Sequence, residues 1–164
     1  MNIHIITTGG TIEGIDYEGE VNRTQEGQVS IIDFLDTANV SFQYTIEEAF
    51  KKDSRLVSNR DRELLVDKIR AVDSTKILIT HGTFTMEDTA QYLGKLNLNR
   101  TIVLVGSFVS GSSPNTDAPF NLGYAISSVQ FLKTDVYVAM NGEVFHWSNV
   151  TKNLETNKFE RGNE

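Results

Sequence analysis

The chain has 164 residues, 39% hydrophobic and 23% charged, with 15 Lys and Arg against 22 Asp and Glu for a formal net charge of -7. This suits one domain with a substantial core, and without a basic surplus to neutralise phosphates a nucleic-acid partner is excluded. The absence of cysteine excludes disulfides, thiol catalysis and Cys-ligated zinc, and His4, His81 and His146 lack the i, i+4 spacing of a helical metal pair.

Asn2 to Thr7 reads as a buried first strand that ends at Thr8-Gly9-Gly10-Thr11-Ile12. Paired glycines after a strand let the backbone turn sharply and bring N–H groups close to a ligand. Thr11 would present its hydroxyl among those groups, which suits a nucleophile beside an oxyanion hole. The spacing fits neither a dinucleotide fingerprint nor a phosphate loop with lysine. The polar stretch from Ile15 to Gln28 reads as a mobile surface loop, a candidate lid. Ser30 with Asp33 caps a helix whose apolar face is Ile31, Phe34, Leu35 and Ala38. Val40 to Ile46 alternates as a strand, and Glu47 to Arg55 leads into a loop containing Lys51-Lys52-Asp53-Ser54-Arg55. Ser58 with Asp61 opens a helix presenting Leu65, Lys68, Ile69 and Val72.

The chain is organised around His81-Gly82-Thr83-Phe84-Thr85-Met86-Glu87-Asp88-Thr89-Ala90. Lys76 to Thr80 before it is a short apolar strand, and Met86, Thr89, Ala90, Leu93 and Leu96 after it recur at helical spacing. Gly82 therefore takes a strand-to-helix turn, with Thr85 and Asp88 as the N-cap pair. Thr83 and Phe84 stand at the carboxyl end of a strand beside the positive end of a helix dipole, where open α/β sheets bind ligands. Thr101 to Gly106 is a further buried strand that runs into a turn-rich loop from Ser107 to Asp117. Phe120, Leu122, Tyr124, Ile126, Ser127, Val129 and Phe131 mark a largely buried helix. Val136 to Met140 is a strand, and Asn141-Gly142 turns it into a hairpin with Val144 to Trp147. The polar tail after Asn149 reads as fraying apart from Val150 to Asn153. Strands alternating with helices predict a three-layer α/β domain with a mostly parallel sheet and helices on both faces. No apolar run approaches the ~20 residues of a membrane span, and without a leader pattern at the start a cytoplasmic location is expected.

Thr8-Gly9-Gly10-Thr11-Ile12, Asp53-Ser54, His81-Gly82-Thr83-x-Thr85-Met86-x-Asp88-Thr89-Ala90 and Asp117-x-Pro119-Phe120-Asn121-Leu122 together resemble the bacterial-type L-asparaginase family. Ala139-Met140-Asn141 and Val150-Thr151-Lys152 extend the resemblance over almost the whole chain, in the family's order. It implies a Rossmann- or flavodoxin-like N-terminal domain and hydrolysis of the side-chain amide of L-asparagine, or a related small amide, through a threonine ester, releasing ammonia without a cofactor. Thr11 then matches the nucleophile, Thr83 the second catalytic threonine and Lys152 its lysine partner. Ser54 matches the serine that holds the substrate's α-carboxylate, and Arg55, Gly10, Gly82, Phe84 and Asp117 complete the candidate substrate-binding set. A lysine with a lowered pKa can take the proton that keeps a hydroxyl a poor nucleophile.

Three departures from the family pattern stand out. Phe84 replaces the aspartate that binds the substrate's α-amino group; Asp117 is the first candidate to replace it, with Glu87, Asp88 or a carboxylate from a second subunit behind it, while the phenyl ring itself offers only a weak cation–π contact. Tyr17 is the nearest candidate for the loop tyrosine that assists the nucleophile. The chain ends at Glu164, so a single domain without the family's C-terminal domain is expected, assembled as a homodimer or homotetramer with a neighbour covering the pocket. A non-catalytic small-molecule binding or regulatory module on the same fold is the competing class.

Overall fold

The computed structural model describes residues 2–15 and 28–162. Five strands, β1 (Asn2–Gly9), β2 (Gln43–Lys52), β3 (Lys76–Thr80), β4 (Thr101–Val105) and β5 (Asp135–Met140), run parallel, and β6 (Glu143–His146) closes the sheet antiparallel to β5. The strand order is β2-β1-β3-β4-β5-β6. Apart from the first residues Asn2 and Lys76, consecutive residues of β1, β3 and β4 are all buried, so both faces of the central sheet are covered. This is why these strands read as unbroken apolar runs rather than alternating ones. The covering helices are α1 (Ile31–Thr37), α2 (Asn59–Ala71), α3 (Met86–Gly94) and α4 (Ala118–Phe131). The result is the α/β sandwich expected from the alternation of strands and helices.

Capping chemistry sets two of the helix starts. Ser30 with Asp33 and Ser58 with Asp61 each form a complete capping box, with side chain and backbone exchanging bonds in both directions. At α3 the expected pair does not form. Thr85 occupies the N-cap, but its hydroxyl donates to the Ser54 carbonyl at 2.7 Å, and neither Thr85 nor Asp88 caps the helix. Thr85 ties two loops together instead. Proline suits the first turn of α4, where its missing N–H is not needed.

Several boundaries differ from expectation. β2 continues through Glu47 to Lys52, because pairing with β1 extends to Gly9–Lys52 across an irregularity after Thr7. α3 ends at Gly94, leaving Leu96 outside it and exposed. α4 buries Leu122, Ala125, Ile126 and Val129, but Phe120 is 61% and Phe131 84% exposed. Asn141 and Gly142, at φ 57° and 78°, make the expected tight hairpin, with Met140 opposite Glu143. The tail does not fray: β7 (Thr151–Asn153) and β8 (Lys158–Glu160) pair antiparallel, anchored by the buried Phe159 ring. Most of the expected lid, with Tyr17, lies outside the described residues.

Trp147, just after β6, lies against the backbone of Gly94 and is pinned by a 2.9 Å bond from its indole N–H to Asp135. A methyl group at position 94 would overlap that ring. Gly94→Ala should therefore destabilise the fold by about 1–3 kcal/mol through overpacking, although alanine gains about 1 kcal/mol in helix propensity. Guanidinium titration of the two proteins reads the sign directly.

Candidate active site

Strand order reverses between β1 and β3: the chain passes from β1 outward to β2, then returns to β3 on the other side. In open α/β sheets the crevice at such a reversal, outside the carboxyl ends of the strands, is where ligands sit. Both threonine turns fall there. Gly10 follows β1 at φ 79°, a conformation that costs other residues strain, and a Cβ on it would lie 2.6 Å from both the Cα and the N of Gly82. The Thr11 and Thr83 turns are therefore packed backbone against backbone. A Cβ on Gly82 would in turn lie 2.6 Å from Ser54 Oγ, so the turn after β2 closes the third side.

Thr11 opens a short 3₁₀ turn, Thr11–Glu13, and its carbonyl accepts from Gly14 and Gly111 N–H. Its hydroxyl has no hydrogen-bond partner among the described residues. Of the nearby N–H groups, that of Gly10 is taken by the Lys52 carbonyl at 3.0 Å, which corrects its expected part in an oxyanion hole. Lys152 reaches over from β7 and donates from Nζ to Thr83 Oγ1 at 2.9 Å, so the expected pair is in contact. Burial holds this lysine below the ordinary amine value, and the Arg55 charge adds to the effect while Glu87 opposes it. Glu87 also accepts the Lys152 backbone N–H at 2.6 Å, which fixes the strand over the start of α3.

Ser54, buried, accepts the Phe84 N–H at 3.2 Å through its Oγ, which leaves its own O–H free to donate. Phe84 is 51% exposed and carries two cations over its ring, Lys152 Nζ at 4.1 Å and the Arg55 guanidinium at 4.5 Å from the centroid. Arg55 is also bonded in fork geometry to Asp53. Asp117 does not serve as the replacement carboxylate. Its oxygens accept from Phe108 N–H, Val109 N–H and the Asn121 amide, so it folds its own loop. Nor does it cap α4 with its side chain.

Three contributors escaped sequence reasoning. Phe108 places a second ring 5.2 Å from Lys152 Nζ. Glu13, buried beside the Thr11 turn, accepts Gly9 N–H at 2.7 Å, and burial pushes its carboxyl above the usual range. Its signal was an acid four residues after Gly9 inside a glycine turn, close enough to bond back. The third is a buried chain in which Arg62 Nε donates to Thr89 Oγ1 and Thr89 meets His81 Nε2 at 3.0 Å. His81 Nδ1 lies 2.8 Å from the Gly82 carbonyl, which can only accept. Nδ1 therefore carries the proton, Nε2 accepts from Thr89, and the ring is neutral.

A family model for the asparaginase N-terminal domain matches residues 2–161. The chain belongs to the asparaginase family. It is 32% identical to a glutaminase-asparaginase of Acinetobacter glutaminasificans, over 96% of this chain and 52% of the relative. It is 31% identical to L-asparaginase 2 of Escherichia coli K12, over 94% and 47%. The thermostable L-asparaginase of Thermococcus kodakarensis superposes with a TM-score of 0.79 at 27% identity, covering 98% of this chain and 51% of that one. The chain thus spans about half the length of the curated relatives it matches. Among the described residues no helix is long and apolar enough to cross a membrane.

His81 supplies a pH test of the turn. Burial, with the Arg62 charge beside it, lowers its pKa from 6.5 to about 4, against the Gly82 carbonyl. Between these values the unfolded chain binds the extra proton and the folded one does not, so stability rises with pH across that window. The contribution is complete above 6.5 and is lost as pH falls towards 4, by roughly 3 kcal/mol in all. Urea titrations from pH 7 to 4 should show this slope in the native protein and lack it in His81→Gln.

Proposed function

We propose that this asparaginase-family domain hydrolyses the side-chain amide of a small substrate, L-asparagine or a related amide, using Thr11 as the nucleophile. The observation that carries this reading is the 2.9 Å contact of Lys152 Nζ with Thr83 Oγ1, in a crevice packed against the Thr11 turn. The Thr11 hydroxyl adds to the amide carbonyl, and its proton leaves with the amide nitrogen as ammonia, which yields an ester. Water then adds to that ester and gives up a proton through Thr83 to neutral Lys152. Collapse breaks the bond to Thr11 and frees the carboxylic acid, while the Lys152 ammonium returns its proton through Thr83 to the leaving Thr11 oxygen. The hydroxyl and the neutral lysine are thereby restored, and the sum is amide plus water to acid plus ammonia. The Thr11 N–H faces the developing oxyanion, and Ser54 O–H holds the substrate's carboxylate. Names shared by the relatives, L-asparaginase and glutaminase-asparaginase, support the substrate class.

Tyr17 stays a proposed assistant to Thr11 on the strength of sequence alone. The same reading includes assembly of two or four copies with a neighbour over the exposed Phe84. Light scattering at micromolar concentration should then give at least a dimer.

Ammonia release from a panel of small amides tests the chemistry. Thr11→Ala should abolish it, and Lys152→Met should lower kcat by roughly 10²–10⁴-fold, as expected for loss of a proton acceptor. Because Lys152 must be neutral and its pKa is depressed, the native rate should climb with pH and level off below the ordinary lysine value. Lys152→Met should lose that limb. Release that survives Thr11→Ala would overturn the threonine mechanism.

A further inference from the structure

Lys152 has an unusual setting for a half-buried cation. Its Nζ donates to one hydroxyl, Thr83 Oγ1, and otherwise faces two phenyl rings, Phe84 at 4.1 Å and Phe108 at 5.2 Å. No carboxylate lies within ion-pair distance of it among the described residues. In the ammonium form that Lys152 holds below its lowered pKa, from which only the deprotonated fraction goes on to react, three donors and one acceptor leave two N–H groups to be satisfied from the pocket. Ser54 adds a third donor there, since its Oγ already accepts from Phe84 N–H. The crevice is thus supplied with donors and a cation, and the group that completes it is an anion.

A ligand ammonium meets the opposite situation. The Phe84 ring, which could attract it, already has Lys152 and Arg55 over it. Asp53 is bonded to Arg55 through both oxygens, and Asp117 is consumed by its own loop. Glu87 has one oxygen on the Lys152 backbone N–H, which leaves its second oxygen as the only competing acceptor among these three. Like charges in one small crevice repel, and more strongly as water is excluded.

We propose that the pocket selects the ω-amide of a dicarboxylic acid that carries no α-ammonium, in preference to the zwitterionic amino-acid amide. The proposal deepens the hydrolase reading and rests on it for the amide, while the charge preference itself is a property of binding. Phe84 is its determinant: the ring lets Lys152 and Arg55 gather where a carboxylate would have accepted an ammonium.

The probes are succinamate and L-asparagine, which differ only in the α-ammonium. Calorimetry on the whole chain carrying Thr11→Ala should show succinamate binding at least tenfold more tightly, and native kcat/KM from ammonia release should favour it by a similar factor. Phe84→Asp should reverse both preferences. Equal or tighter binding of L-asparagine by the starting protein overturns the proposal. So does an L-asparagine affinity that collapses in Glu87→Gln, since that would make Glu87 the ammonium site. If neither amide is hydrolysed, the hydrolase reading fails, yet the calorimetric order still decides the charge preference. Binding of neither probe overturns it.

Discussion

The contact on which this molecule depends is a backbone-to-backbone approach. Gly10 and Gly82 pack so closely that neither can carry a side chain without displacing the other's turn or Ser54. Main-chain atoms thereby bring the ends of β1 and β3 to one point, and the Ser54 side chain packs the turn after β2 against it. A residue with a Cβ at position 10 would meet both the steric barrier and the unfavourable positive φ. Everything reactive is then placed by short reach from this junction: Thr11 one residue beyond Gly10, Thr83 one beyond Gly82, and Ser54 against Gly82.

Buried polar groups hold the junction from beneath. His81 and Glu13 flank it, one bonded to the Gly82 carbonyl and the other to the Gly9 N–H. Thr8 adds a bond from its hydroxyl to the Thr80 carbonyl at 2.7 Å, which stitches the two strand ends directly. Such groups are costly to bury unless each finds a partner. Here the partners are the backbone atoms that a turn leaves unused at a strand end, so the same bonds that satisfy the side chains also fix the turns.

The fold was legible because β1, β3 and β4 are buried on both faces and read as continuous apolar runs, and because Ser-x-x-Asp marks two helix starts. The glycine turns revealed Thr11 and Thr83, whereas Lys152 was legible only through its resemblance to a family motif. Long-range pairing was what local pattern could not show. Thr85 looked like a cap from its neighbours, but its partner is Ser54, 31 residues away. Asp117 looked available, yet its loop folds back on it. Phe120 and Phe131 have the spacing of a core stripe, and nothing in spacing says that these two positions, at opposite ends of α4, lie at the surface.

Lys152 comes to Thr83 from a hairpin that pairs with itself and is not part of the six-stranded sheet. Its ties to the rest include the Glu87 carboxylate, the bond from Phe159 N–H to Asn141 and the contact of the Phe159 and Phe108 rings. Small units on few contacts open at lower free energy than the core they lean on. The lysine therefore belongs to a weaker cooperative unit than the threonine it touches. Heating would part the two while the helices and sheet still gave their full far-ultraviolet signal, so a melting curve recorded there overstates the temperature to which the Thr83–Lys152 pair survives.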